Sequence, residues 1–353
     1  MSRSGMGSGG TGSDGMNVES LSVTRGSRAS IIAMCCAVVI LAILIAAPWW
    51  AGRADMRLMG EVFLYLSLAS LWNLMAGYAG LVSVGQQAFV GFGGYMLFAL
   101  TIFAGLHPIV AIVGAGLLGA LIAIPVATLV FRLRGAYFAI GTWVVAEVFR
   151  LSFAQVSSLG GGSGTSLPIS IIKSMASGRQ AREWMSYWLA LGVAVLVIAA
   201  VFLFLRSRKG LALSAIRDNE LAASSLGIDI WRTKFLVYVV TAALTAMVGA
   251  LIFLQKLRIS PDAAFSVNDW TAFVIFIVVI GGIGSLEGPI IGTLVFFALR
   301  ETLADLGTIY LIALGLVAIV VMLKAPQGLW GLIRARWDLQ LFPLGYRVKS
   351  KDT

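Results

Sequence analysis

Two glutamines stand side by side in an otherwise apolar, glycine-rich run, WNLMAGYAGLVSVGQQAFVGFGGY. A carboxamide facing lipid is costly, so Gln86 and Gln87, with Ser83 close by, should face protein or water. Two readings stay open. They line a polar route across a membrane, or they hydrogen-bond between helices packed over the neighbouring glycines. Neither is covalent chemistry. Glu147 and Arg150 lie three residues apart in a second apolar run and meet on one helix face as an ion pair. A proton relay would need another titratable group at depth. His107, before Pro108 at a segment end, and Glu61, near the start of its segment, do not supply one. Glu287, in GGIGSLEGP, is placed to cap the helix that starts at Pro289, where the dipole favours a carboxylate. The adjacent Cys35 and Cys36 point in different directions on a helix and are not expected to bridge. One histidine in the whole chain leaves no metal site expected. No Gly-x-x-x-x-Gly-Lys-Ser/Thr loop, His-Glu-x-x-His motif or nucleophile elbow occurs, so no catalytic residue is assigned.

The elements that position these residues follow from composition. The chain has 353 residues, 59% hydrophobic and 12% charged, with mean hydropathy +0.94. A soluble domain of this size could not hide so much apolar surface, so the expected fold is all-α, a polytopic helical membrane protein. Residues 1–30 read as a flexible cytoplasmic tail. Residues 31–323 read as the transmembrane domain, and residues 324–353 as a basic cytoplasmic tail. The first apolar segment, Ile31–Trp50, is longer than a signal core and lacks a clear cleavage site, so it is expected as a retained span. Nine more apolar segments follow. Two of them, Trp270–Ile280 and Pro289–Leu299, are short and flank the Gly-rich break that contains Gly281, Gly282 and Gly284. Counting them as two passes, or as a re-entrant hairpin, gives about ten passes with both termini cytoplasmic. Seventeen lysines and arginines then fall inside and eight outside, as the positive-inside rule requires. Arg132 and Arg134 of the RLRG turn serve as orientation anchors in that count. Gly-interrupted segments in two halves point to a pathway built from pseudo-symmetric units.

The longest polar stretch between apolar segments is 206–234, whose six basic residues mark it as cytoplasmic. Leu213, Ile216, Leu221 and Leu226 recur among polar residues from Ala212 onward, and Gly227 supplies a stop. The pattern predicts one short amphipathic helix at the cytoplasmic face. Such a helix either rests on lipid headgroups or docks to a partner. If transport here is driven by ATP, the ATPase must be a different polypeptide. The external stretches Ser157–Glu183 and Gln255–Asp269 exceed simple turns and are expected to dock a partner on the other side.

The segments NLMAGYAGLVSVGQQAFVGFGGY, RLRGAYFAIGTWVVAEVFR, GLALSAIRDNELAASSLGIDIWRTKF, IGGIGSLEGPIIG and PQGLWGL occur in that order across about residues 58–334. Together they resemble the permease family of bacterial ABC importers for branched-chain amino acids, specifically the LivM-like subunit. The resemblance implies a bacterial inner-membrane permease that binds no cofactor itself. Its implied partners are a second homologous permease, two cytoplasmic ATPases that use ATP and Mg, and an extracytoplasmic substrate-binding protein. Glu220, Ala222, Ala223 and Gly227 fall where such permeases carry a Glu-Ala-Ala…Gly coupling loop, with Arg217 and Asp218 just before it. Ser83, Gln86, Gln87, Gly281, Gly282 and Gly284 are the expected pathway residues. One departure is Gln86-Gln87, where many relatives carry His-Ala or Gln-Ala, so that segment does not name a substrate. Selectivity is expected to reside largely in the binding protein. Urea, short amides or sugars are alternatives within the class. An ion-coupled secondary transporter is the alternative from another class, against which the missing cluster of intramembrane carboxylates counts.

Overall fold

The computed structural model describes residues 21–24, 28–175, 178–303, 309–325, 327–337, 342 and 347–350. A short strand, β1 (Leu21–Thr24), precedes α1 (Arg28–Ala46), an apolar helix whose described face is largely exposed. It touches the rest chiefly through α7 (Arg179–Arg206), where the Tyr187 hydroxyl donates to the Leu44 carbonyl at 2.8 Å. Trp49, Trp184 and Trp188 cluster at this end with ring centroids 6.0 Å apart, an arrangement suited to a membrane interface.

The core is built around α2 (Arg53–Asn73), which is buried almost continuously from Phe63 to Asn73. It ends in a π-helical turn, Leu74–Tyr78. The chain then runs without helix to α3 (Gln86–Ile102), five residues later than the apolar run begins. Next come α4 (Pro108–Val130), α5 (Ala136–Ala154) and, beyond a loop, α6 (Ile169–Met175). His107 caps α4, its Nδ1 accepting from the Ile109 N–H at 3.4 Å. After α7 come α8 (Arg208–Asp218), α9 (Glu220–Ser225) and α10 (Ile230–Lys256). A β-carbon at Gly93 would strike the Ala246 backbone and one at Gly249 the Val90 backbone, so α3 and α10 cross in backbone contact. Leu117, Leu121, Ile140, Val144, Ile312 and Leu316 are exposed apolar residues, as lipid-facing positions should be.

Two strands, β2 (Thr165–Ser166) and β3 (Arg258–Ile259), pair antiparallel and tie together the two loops expected to be external. The Leu167 N–H extends that contact by donating to the Leu257 carbonyl at 3.0 Å. Arg150 binds Glu147 on its own helix and also Asp262 at 2.8 Å, on α11 (Pro261–Ala264). The expected helix-face pair is therefore also a clamp on the loop that follows α10. A π-helical turn, Asn268–Ala272, leads into α12 (Phe273–Gly281). The hairpin closes with α13 (Gly288–Leu303), and α14 (Ile309–Lys324) and α15 (Gly328–Trp337) follow. α15 packs against the hairpin with Trp330 buried. β4 (Arg347–Ser350) pairs antiparallel with β1, which brings the segments before α1 and after α15 together.

Eight helical segments are long and apolar enough to cross a membrane, among the described residues. The two further helices in the count of ten, α3 and α13, have 17 and 16 residues and are shorter than a perpendicular span needs.

Candidate functional site

The first break places its polar residues beside α2. The extended stretch after Tyr78 turns back along that helix. The Trp72 indole N–H donates to the Ser83 carbonyl at 2.8 Å, and Gln86 Nε2 donates to the Leu68 carbonyl at 3.0 Å. At 1.5 Å per residue, Leu68 lies about 15 Å back from the end of the π turn, so α3 starts inside the membrane domain. Ser83, Gln86 and Gln87 are all buried. The Ser83 hydroxyl accepts the Gly85 N–H at 3.2 Å. Gln87 Oε1 accepts a short hydrogen bond from the Thr271 hydroxyl, which links this break to the π turn before α12. Gln86 Oε1 and Gln87 Nε2 have no partner among the described residues. A cavity of about 10 Å³ beside Gln86, shared with Trp72, Thr241 and Thr245, has room for about one water.

The second break meets the C-terminal end of α2. Gly282 and Gly284 turn the chain between α12 and α13 with φ of +128° and +78°, a region where a β-carbon is strained. Gly281 ends α12 packed on the backbone of Gly288. Asn73, buried on α2, holds this turn with both ends of its carboxamide. Oδ1 accepts the Gly284 N–H at 2.8 Å, and Nδ2 donates to the Ser285 carbonyl at 2.7 Å. Nothing in the sequence marks Asn73 beyond its being polar in an apolar run. The Glu287 carboxylate was expected to cap α13. Instead its backbone carbonyl accepts the Ile290 and Ile291 N–H groups at 3.1 Å, and its side chain accepts the Phe342 N–H at 3.2 Å. The cap at this turn is Ser285, whose hydroxyl accepts the Gly288 N–H at 3.1 Å.

The cytoplasmic-loop expectation needs correction. In place of one amphipathic helix from Ala212 to Leu226 there are two, α8 and α9, broken at Asn219. Asn219 has extended backbone, and its Oδ1 accepts from Leu221 and Ala222 at 3.0 and 3.1 Å. An asparagine N-cap is a strong helix start, and it outweighs continuation of the apolar period. The four apolar residues therefore divide. Leu213 and Ile216 are buried against the membrane domain, while Leu221 and Leu226 are 82% and 79% exposed. Ala223 is buried and Ala222 exposed. Glu220 forms an ion pair with Lys234 at the base of α10. Gly227 follows α9 with φ +79°, and its N–H donates to the Ser224 carbonyl at 2.9 Å. Arg217 ends α8 paired with Asp218 at 3.3 Å. Its Nη1 also lies 3.3 Å from where a β-carbon on Gly284 would sit. Through Arg217, α8 thus reaches the edge of the second break.

Among the described residues, no cluster of His, Cys, Asp or Glu is arranged to hold a metal ion. Two interrupted helices tied to one central helix, with α8 seated beside one interruption, define a multi-pass helical membrane protein. Comparison with known proteins gives the family. Residues 56–325 match the family described as branched-chain amino acid transport system / permease component, and the chain belongs to it. The chain is 27% identical over 325 residues to the high-affinity branched-chain amino acid transport system permease protein LivM of Escherichia coli K12, covering 86% of this chain and 76% of that one. The probable branched-chain amino acid transport permease protein LivM of Methanocaldococcus jannaschii is 30% identical over 200 residues, 55% of this chain and 56% of its own. The fructose import permease protein FruF of Bifidobacterium longum is 27% identical over 147 residues, 38% of this chain and 41% of its own. No solved structure matches the chain.

Proposed function

We propose that this chain is the passive membrane-spanning subunit of an ATP-driven importer for leucine, isoleucine, valine or related amino acids. It works beside a second homologous permease, two cytoplasmic ATPases that use ATP and Mg, and an extracytoplasmic binding protein, in the bacterial inner membrane. It carries out no covalent step itself and binds no cofactor. Hydrolysis of ATP belongs to the partners.

The observation that carries this reading is the contact of Arg217 with the Gly284 turn while Leu221 and Leu226 stay exposed one helix further on. Exposed leucines on a short capped helix suit the groove of another protein. A push on α9 would pass through α8 and Arg217 to the turn that Asn73 ties to α2. Ser83, Gln86, Gln87, Gly281, Gly282 and Gly284, in the two breaks tied to α2, would then form the moving parts of the pathway. The names of the relatives support branched-chain amino acids, and the sugar permease among them sets the competing substrate class. Reconstitution of the four kinds of subunit in liposomes tests the assignment. Uptake of labelled leucine that needs both ATP and the binding protein is expected. Uptake of urea, amides or fructose in its place would reassign the substrate, and uptake driven by an ion gradient without ATP would overturn the class.

A further inference from the structure

A cavity of about 760 Å³ opens at the end of the molecule opposite α8 and α9, within the size of small-molecule sites. α7 begins at this cavity and reaches α8 28 residues later, about 42 Å away at helical rise. Arg53, Arg57 and Glu61 fall at successive i, i+4 positions on α2 and line one wall. Much of the lining charge is spent internally. Arg53, Arg57 and Arg179 converge on Glu183 at 3.4, 3.6 and 3.4 Å, and Arg300 binds Glu61 at 2.6 Å. Three guanidiniums around one carboxylate leave that wall positive.

Three further charges on the lining have no ion-pair partner among the described residues. Arg182, half-buried, projects from α7, and Asp269, half-buried, comes from the π turn before α12. Lys256 lies with its Nζ 4.7 Å over the Trp270 ring. The floor between them is apolar, formed by Leu64, Tyr65, Ile252 and Phe273. Half-buried charges without partners are retained at a cost. Here a cationic group and a carboxylate face one apolar floor.

We infer that this cavity is a low-affinity receiving site for a free zwitterionic amino acid, with Arg182 on its carboxylate, Asp269 on its ammonium and an aliphatic side chain on the Leu64–Ile252 floor. The inference rests on the substrate class proposed above and adds a site on the permease itself. Such a site would hold the substrate released by the binding protein before the pathway opens. Weak binding is what the function requires, because a tight site here would retain its cargo.

The test is equilibrium binding of labelled leucine to the assembled transporter in lipid nanodiscs without binding protein. Leucinamide, which lacks the carboxylate, and 4-methylpentanoate, which lacks the ammonium, serve as competitors. Saturable leucine binding is expected, with both competitors weaker. Asp269→Asn should weaken leucine roughly ten- to hundredfold and leave 4-methylpentanoate unchanged, as loss of one charge-assisted bond predicts. Arg182→Gln should weaken leucine similarly and leave leucinamide unchanged. Neither change orphans a paired charge, so both variants should fold, which wild-type thermal stability would verify. Absence of saturable binding, equal competition by all three ligands, or variants that bind as wild type does would overturn the site. Leucine binding by the isolated binding protein separates the two readings. If that protein takes leucine while the cavity variants are inert, the receiving site alone is wrong. If it does not take leucine, the substrate assignment falls and this inference falls with it.

Discussion

Gly77 and Gly284 meet backbone to backbone. A β-carbon on Gly77 would lie 2.5 Å from the Gly284 nitrogen, closer than any van der Waals contact. The π turn at the end of α2 and the turn between α12 and α13 therefore fit only while both residues are glycine, with Asn73 bonding across the same contact. α2 and the hairpin tip move as one body, or part here.

Gly77→Ala should separate the two turns and break the Asn73–Gly284 bond. Overpacking of this kind costs about 1–3 kcal/mol. The protein is expected to insert but to melt earlier and to lose ATP-driven uptake. Asn73→Leu should behave alike, since it leaves the part-buried Gly284 N–H and Ser285 carbonyl without their partners, a cost of up to about 1–3 kcal/mol each. Melting of the purified subunit with uptake in vesicles checks both. Wild-type uptake in either variant would show that the contact is dispensable.

The external loops offer a cleaner probe than their charge alone suggests. Arg179 is engaged by Glu183, and Lys256 lies over Trp270, so reversing either disturbs the permease as well as any docking. Lys173, exposed on α6, has no ion-pair partner among the described residues. Lys173→Glu is expected to raise the binding-protein concentration needed for half-maximal uptake. The effect should shrink at high salt, because exposed charges are screened beyond about 8 Å at physiological ionic strength. Unchanged uptake at low and high salt would move the docking surface elsewhere.

Orientation can be read with reporters. With the basic residues distributed as they are, a fusion after Lys351 should report the cytoplasm, and one inserted in the Ser157–Glu183 loop the opposite side. The same side for both would require an even number of crossings between the loop and the tail, in place of the five made by α7, α10, α12, α13 and α14.

What could be read from the residues was set by period and composition. Spans such as α4 and α10 declare themselves by length and apolarity, and both interruptions by their glycines. The start of α3 was less legible, because Leu81 to Val84 are apolar but for Ser83 and yet not helical, held through Trp72 and Gln86 against α2. Asn73 could not be distinguished from any isolated polar residue, since its partners lie more than two hundred residues away. Two arms of the Glu183 cluster were hidden in the same way, since Arg53 and Arg57 lie more than a hundred residues from it, while Arg179 is only four away. The break at Asn219 was legible in principle as Asp-Asn-Glu, an N-cap signal, but the recurrence of leucines on both sides masked it.

That break sharpens the last prediction. Leu213 is fully buried and Leu221 is 82% exposed, so the same substitution should have opposite consequences at the two. Leu213→Ala should cost about 2–5 kcal/mol, as for other core leucines. It should lower melting temperature and uptake together. Leu221→Ala and Leu226→Ala should leave stability within about 0.5 kcal/mol yet uncouple the transporter, because what they lose is a surface for the ATPase. Gly227→Val should uncouple as well, since φ +79° costs an L-residue roughly 1–2 kcal/mol and the turn after α9 would change shape. Glu220→Lys would add repulsion by placing a second cation beside Lys234. Substrate-stimulated ATPase activity beside uptake, in the reconstituted complex, separates these outcomes. Full coupling in the Leu221, Leu226 and Gly227 variants would return α9 to the membrane surface and leave Arg217 without a push to transmit.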